Sequence, residues 1–160
     1  MTGYFAQEPR PLSVDDHVPA RVLLMGALGV TPYIDRAMEV LQLAERGQDD
    51  EHRALVIARD GTVAALALFG AVEGALGVSK LHVAVIAPSV SLGDVGQRIV
   101  RAVLDEARRD GARLVVAEIP DDPAVGQLRA LLASVGFDEE SRVPDYFRDG
   151  VALSLLRYEL

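Results

Sequence analysis

The chain has 160 residues, half of them hydrophobic and a quarter charged, the composition of one globular domain with a sizeable core. Its 16 basic and 24 acidic side chains leave a formal charge of −8; such a surface repels nucleic acid and anionic membrane and draws cations or amines. There is no cysteine, which excludes disulfides, thiolate metal sites and cysteine nucleophiles, and the three scattered histidines make no metal site. No apolar run is long enough to span a bilayer, and "MTGYFAQEPRPLS" lacks the basic and apolar regions of a signal peptide. A single cytoplasmic domain over residues 1–160 is the expectation.

In chain order, "RPLSVDDHVPARVLLMGAL" reads as a short strand followed by a helix that starts near Asp15 and Asp16. "TPYIDRAMEVLQLAER" is a second helix, with Thr31 as N-cap and Pro32 in its first position. "RALVIARDGTVAALALFGAVEG" is two strands around a turn at Arg59-Asp60-Gly61, and "GVSKLHVAVIAP" is a third long strand. From Val95 to Asp110 an amphipathic helix gathers Ile99, Val100, Val103, Leu104 and Ala107 on one face. "ARLVVAEIP" is apolar enough for a strand buried on both faces. A further helix runs from Pro123 to Val135, stopped by Gly136, and "FDEESRV" and "GVALSLLRYEL" close the chain as strands. The order β-α-α-β-β-β-α-β-α-β-β predicts an α/β (α+β layered) architecture: a mixed central sheet of about seven strands flanked by about four helices.

Four stretches carry a family resemblance: "KLHVAVIAP", "SLGDVGQRIV", "LLASVGF" and "VPDYFRDGVALSLLRYEL". In this order and at these separations they resemble the fourth strand, the pyrophosphate loop, the glycine-phenylalanine signature and the ending of the GNAT superfamily of N-acetyltransferases. The resemblance implies transfer of an acetyl group from acetyl-CoA to the primary amine of a small molecule or peptide. It implies that the fourth and fifth strands splay apart, and that backbone at Val83, Ala84 and Val85 meets the pantetheine arm and polarises the thioester carbonyl. The pyrophosphate would lie on Ser91, Leu92, Gly93, Asp94, Val95, Gly96 and Gln97, at a helix N-terminus whose dipole favours anions. Homodimers are frequent in the family.

Three positions depart from the family pattern. Ser91 stands where a glutamine or arginine is usual, and Asp94 where a glycine is usual. A carboxylate about 4 Å from a phosphate would cost about 1–4 kcal/mol; Asp94 is read here as the N-cap of the following helix, and Gly96 as the residue that lets backbone approach the ligand. Leu132 stands where many relatives have the tyrosine that protonates the departing thiolate; it falls in an apolar stripe and reads as core.

For proton transfer the candidates are Glu118, Tyr146 and His82. Glu118 closes "RLVVAE" at a strand's carboxyl end, where sites in open sheets gather, either as a base or as a partner of Arg113 or Arg142. His82 lies within the fourth strand, on the same face as Ala84 by simple alternation, and titrates near neutrality if unperturbed. Tyr146 and Tyr33 are acceptor-pocket candidates or packing aromatics. Two functions stay open at this point: an acetyl-CoA-dependent N-acetyltransferase, or a GNAT-like domain that has lost transfer and binds or regulates.

Overall fold

A computed structural model describes residues 8–59, 61–88 and 92–160, with backbone alone at 92 and 93. Seven strands form one sheet: β1 (Arg10–Pro11), β2 (Arg53–Arg59), β3 (Thr62–Ala71), β4 (Val78–Ile86), β5 (Leu114–Pro120), β6 (Asp138–Arg148) and β7 (Val151–Glu159). Their spatial order is β1-β2-β3-β4-β5-β7-β6, and every neighbouring pair is antiparallel except β4 with β5. Four helices cover both faces: α1 (His17–Leu28), α2 (Ile34–Arg46), α3 (Leu92–Arg109) and α4 (Gly126–Val135). The expected architecture and element order are those observed.

The helical periods account for the layering. On α3 the stripe Ile99, Val100, Val103, Leu104 and Ala107 is buried against Leu55, Ile57, Phe69 and Leu81 of the sheet. On the opposite face Leu24 and Leu28 of α1 and Val40 and Leu41 of α2 pack with Val56, Leu66 and Leu68. β3 separates the two cores, and all but its terminal residues are buried, which is why its sequence is apolar on both parities.

Local chemistry moves several boundaries. α2 begins at Ile34 with Tyr33 as its N-cap, not at Pro32. Thr31 instead closes the preceding turn: its hydroxyl donates to the Leu28 carbonyl at 2.7 Å and accepts from the Tyr33 amide at 3.2 Å. Asp16 is buried at the end of a 3₁₀ turn (Val14–Asp16), where Arg10 donates to both its oxygens at 2.6 and 3.0 Å and Ser13 donates to Oδ2 from amide and hydroxyl. The Arg10 hydrogen bond holds the Asp16 carboxyl down at about 2. α3 begins at Leu92, a turn earlier than its apolar period announces. β6 extends to Arg148 and is exposed along its whole length; as an edge strand it carries Pro144, and Asp145 has φ 55°, features that spoil pairing with another chain. In the β2–β3 hairpin Arg59 pairs with Thr62 and Gly61 has φ 77°; Asp60 lies outside the described residues.

Candidate functional site

The sheet is continuous except at one place. β4 and β5 pair only through Val78, Ser79 and Lys80, against Leu114, Val115 and Val116. Beyond Lys80 the two strands part, although each continues to pair with its other neighbour, β4 with β3 and β5 with β7. A cleft of about 690 Å³ occupies the opening, within the range of small-molecule sites. Its walls come from both faces: Leu28, Tyr33, Arg36 and Val40 from the α1–α2 side, and Gln97, Leu128, Leu131 and Ser134 from α3 and α4. This explains why Leu128 and Leu131 are only partly buried in an otherwise apolar stripe.

The β3–β4 ladder decides which backbone faces the opening. The Ala87 amide donates to the Ala64 carbonyl at 2.8 Å, so Ala87 and Ala64 form a hydrogen-bonded pair. Hydrogen-bonded and non-hydrogen-bonded pairs alternate in an antiparallel ladder. Val85 and Val83, opposite Leu66 and Leu68, therefore bond to β3, while Ile86 and Ala84, opposite Ala65 and Ala67, turn N–H and C=O toward the gap. Of the three residues expected to present backbone, only Ala84 does so; Val83 and Val85 contribute side chains to the cleft.

A β-bulge corrects the reading of His82. Phe69 stands opposite Leu81 and Leu68 opposite Val83, which leaves His82 as the extra residue. A bulge breaks strict alternation. Leu81 and Ala84 accordingly pack on the α3 side and Val83 on the α1–α2 side, so simple alternation does not carry across His82. Its ring stacks on His52 with centroids 5.7 Å apart, and Nε2 lies 3.1 Å from the Glu51 carbonyl. A carbonyl only accepts, so Nε2 carries the proton and Nδ1 the lone pair. Burial pushes the imidazole down to about 4, with the positive charges of Lys80, His52 and Arg36 acting in the same direction and the Glu51 carbonyl opposing. His82 is neutral at physiological pH.

Glu118 lies beside the cleft, but neither half-buried nor paired with arginine. It is exposed and accepts a hydrogen bond from Lys80 at 3.1 Å, so this ion pair stands where the strands begin to part. Arg113 donates instead to the Leu76 carbonyl, and Arg142 pairs with Asp121 at 2.5 Å. Tyr146 is exposed and is not among the cleft-lining residues; its neighbour Phe147 is. Strand geometry turns adjacent side chains to opposite faces, and the ring that meets Tyr33 edge-on, at 5.8 Å and 84°, is that of Phe147.

The turn into α3 departs from expectation as well. Ser91 lies outside the described residues, as does the side chain of Leu92. Asp94 is the third residue of the helix and exposed, not its N-cap. Val95 is buried in the core. A Cβ on Gly96 would lie 2.5 Å from Ile86 Cδ1 and 3.0 Å from Leu131 Cδ1, so its smallness lets α3 pack closely on β4 and α4. Gln97 lines the cleft and donates to the Ser134 hydroxyl at 3.3 Å. Leu132 is fully buried, as its position in the stripe predicts.

One cluster escaped the sequence. Tyr33 donates to Asp122 Oδ2 at 2.7 Å, and Arg148 donates to the same oxygen at 3.0 Å and to the Tyr33 hydroxyl at 3.2 Å. Burial and the Asp122 bond raise the Tyr33 pKa, which keeps the phenol a donor. The cluster ties the start of α2 to the turn after β5 and to the end of β6. Only one signal was readable: Asp122 precedes Pro123 as an N-cap does, and it accepts from the Ala124 amide at 3.0 Å.

These features can be set against known proteins. No family model and no curated protein matches the sequence. Among solved structures, a GNAT-family protein from Desulfovibrio desulfuricans superposes with a TM-score of 0.81 at 21% identity, covering 94% of this chain and 97% of that one. The chain has the GNAT fold. The ribosomal-protein-alanine N-acetyltransferase of Brucella melitensis gives 0.74 at 21% identity, covering 96% and 100%. The Salmonella typhimurium protein yncA, solved with its cofactor acetyl-CoA, gives 0.75 at 22% identity, covering 97% and 94%.

Proposed function

We propose that the protein is an N-acetyltransferase that moves an acetyl group from acetyl-CoA to a primary amine. The observation that carries this reading is the gap between β4 and β5, where the main-chain groups of Ala84 and Ile86 have no strand partner among the described residues and face a cleft open to both helical layers. Unpaired backbone polar groups in such a place call for water or a ligand. An extended amide-bearing arm laid along β4 would satisfy them as an added strand does. The Ala84 amide would then be the donor aimed at the thioester carbonyl.

Acetyl-CoA supplies an activated acyl carbon: the amine nitrogen bonds to it as the C–S bond breaks, and the sulfur leaves with the bonding pair and takes up the proton that nitrogen sheds. The chain's own residues prepare the amine. Glu118, at the point where the strands part, accepts the proton that converts ammonium to free amine, and Lys80 holds the carboxylate in place. His82 presents a neutral ring beside the same region. With Leu132 in the core, no tyrosine stands at that position to protonate the sulfur; a thiolate is a good enough leaving group for water to do so.

Calorimetric titration with acetyl-CoA, followed by thiol release in the presence of amines, tests the reading. Micromolar binding is expected. Asp94 sets a negative charge in the first turn of α3, and removing it as Asp94→Asn is expected to tighten acetyl-CoA binding by roughly tenfold or more. Failure of both proteins to bind would overturn the reading and leave a GNAT-fold domain with another role.

A further inference from the structure

Building on the acyltransferase reading, on which this inference rests, we propose that the acceptor is a small amino carboxylate with an apolar body, and that Arg36 receives its carboxylate. The acidic surface of the chain suggests a cationic acceptor, but the cleft carries the opposite sign. Among the described lining residues Arg36 and Lys80 are cationic and Glu118 is the single carboxylate, while the whole chain stands at −8. Glu118 is already bonded to Lys80. A polyamine or polycationic sugar would therefore find two like charges and no carboxylate free for a second ammonium group.

Arg36 is the cation with capacity to spare. Its partner in the structure is Glu39 at 3.0 Å, three residues along α2, in a pair whose side chains are 65% and 60% exposed. Such exposed pairs are weak, and a guanidinium exchanges one readily for a substrate carboxylate that it can grip with two parallel hydrogen bonds. Arg36 and Lys80 both add to the positive potential at His82, so their fields overlap inside the cleft. Apart from Tyr33, whose hydroxyl is held by Asp122 and Arg148, the remaining wall on this side is apolar: Pro32, Ala37, Val40, Val83, Val85 and the Phe147 ring. An amino acid with an aliphatic or aromatic side chain satisfies the whole set: apolar body on this wall, carboxylate on Arg36, amine toward Glu118 and the thioester.

The test compares matched acceptors in a thiol-release assay with acetyl-CoA: leucine against leucinamide and isopentylamine, and phenylalanine against phenylalaninamide and phenethylamine. The free acids are expected to exceed their carboxylate-free analogues in kcat/KM by roughly tenfold or more, the value of a charge-assisted bidentate contact. Arg36→Gln is expected to erase that ratio, and Arg36→Lys to restore part of it. Calorimetry with acetyl-CoA on the wild type separates the two levels of the argument. A protein that binds acetyl-CoA yet turns over acids and amides equally, or none of the acids, overturns this inference and leaves the acyltransferase reading standing. A preference that survives in Arg36→Gln also overturns it. A protein that does not bind acetyl-CoA overturns both.

Discussion

Replacing Gly70 with alanine is expected to destabilise the protein by about 2–4 kcal/mol. The backbone of Gly70 needs no left-handed φ, so its conformation is open to any residue; the constraint is space. A Cβ there would lie 2.1 Å from the Glu51 carbonyl oxygen, 2.2 Å from its carbon and 2.6 Å from the Asp50 oxygen. These are main-chain atoms and cannot rotate aside. The same segment is anchored by the Ala71 amide, which donates to the Asp50 carbonyl at 2.8 Å, and it supplies the Glu51 carbonyl to His82. The substitution thus displaces the support of the bulged residue beside the cleft. Urea unfolding measures the loss, and Gly26→Ala, in α1 with nothing within 4 Å of the new Cβ, serves as the contrast. That change is expected to be neutral or stabilising by about 0.5–1 kcal/mol. Equal stabilities for the two variants would show that the segment at 50–52 yields without cost.

Acid is expected to weaken the fold in a window set by His82. Its ordinary value of 6.5 falls to about 4 in the folded protein. Between these values the unfolded chain binds a proton that the folded chain does not, so unfolding gains as pH drops. The contribution is complete above pH 6.5, declines through the window and is gone below about 4. At about 1.4 kcal/mol per unit the full effect is about 3 kcal/mol. Asp16 acts in the same direction but lower, between 3.8 and about 2, and so does not obscure it. His82→Gln keeps an N–H for the Glu51 carbonyl and removes the titration. Urea midpoints from about pH 4 to about pH 7 should be flatter in the variant. Parallel curves for the two proteins would remove His82 as the origin.

Much of the fold was legible because its information is periodic and local. Ile99, Val103 and Ala107 repeat at helical spacing whatever surrounds them, Gly136 ends its helix with φ 119°, and β3 declares its two-sided burial by being apolar on both parities. The site is another matter. One bulge at His82 inverts the parity of the strand, and nothing local distinguishes a histidine that pairs from one that is skipped. Tyr33 and Asp122 meet across 89 positions and Tyr33 and Arg148 across 115, so each looks like an ordinary polar residue until the fold joins them. Lys80 is the single lysine of the chain, yet its partnership with Glu118 rests on strand order, which no window of sequence contains. Asp94 was misplaced by the same cause as the start of α3: the apolar period marks where a helix becomes buried, not where it begins.

The parting of β4 from β5 leaves one strand with two kinds of amide. Those of Val83 and Val85 are sealed into the β3 ladder; those of Ala84 and Ile86 face the gap. In deuterated water the former should exchange only when the sheet opens, and the latter far sooner. The resulting alternation along a single strand would draw the outline of the cleft in isotope, residue by residue. A ligand laid along β4 would be seen as the slow residues and the fast ones becoming alike.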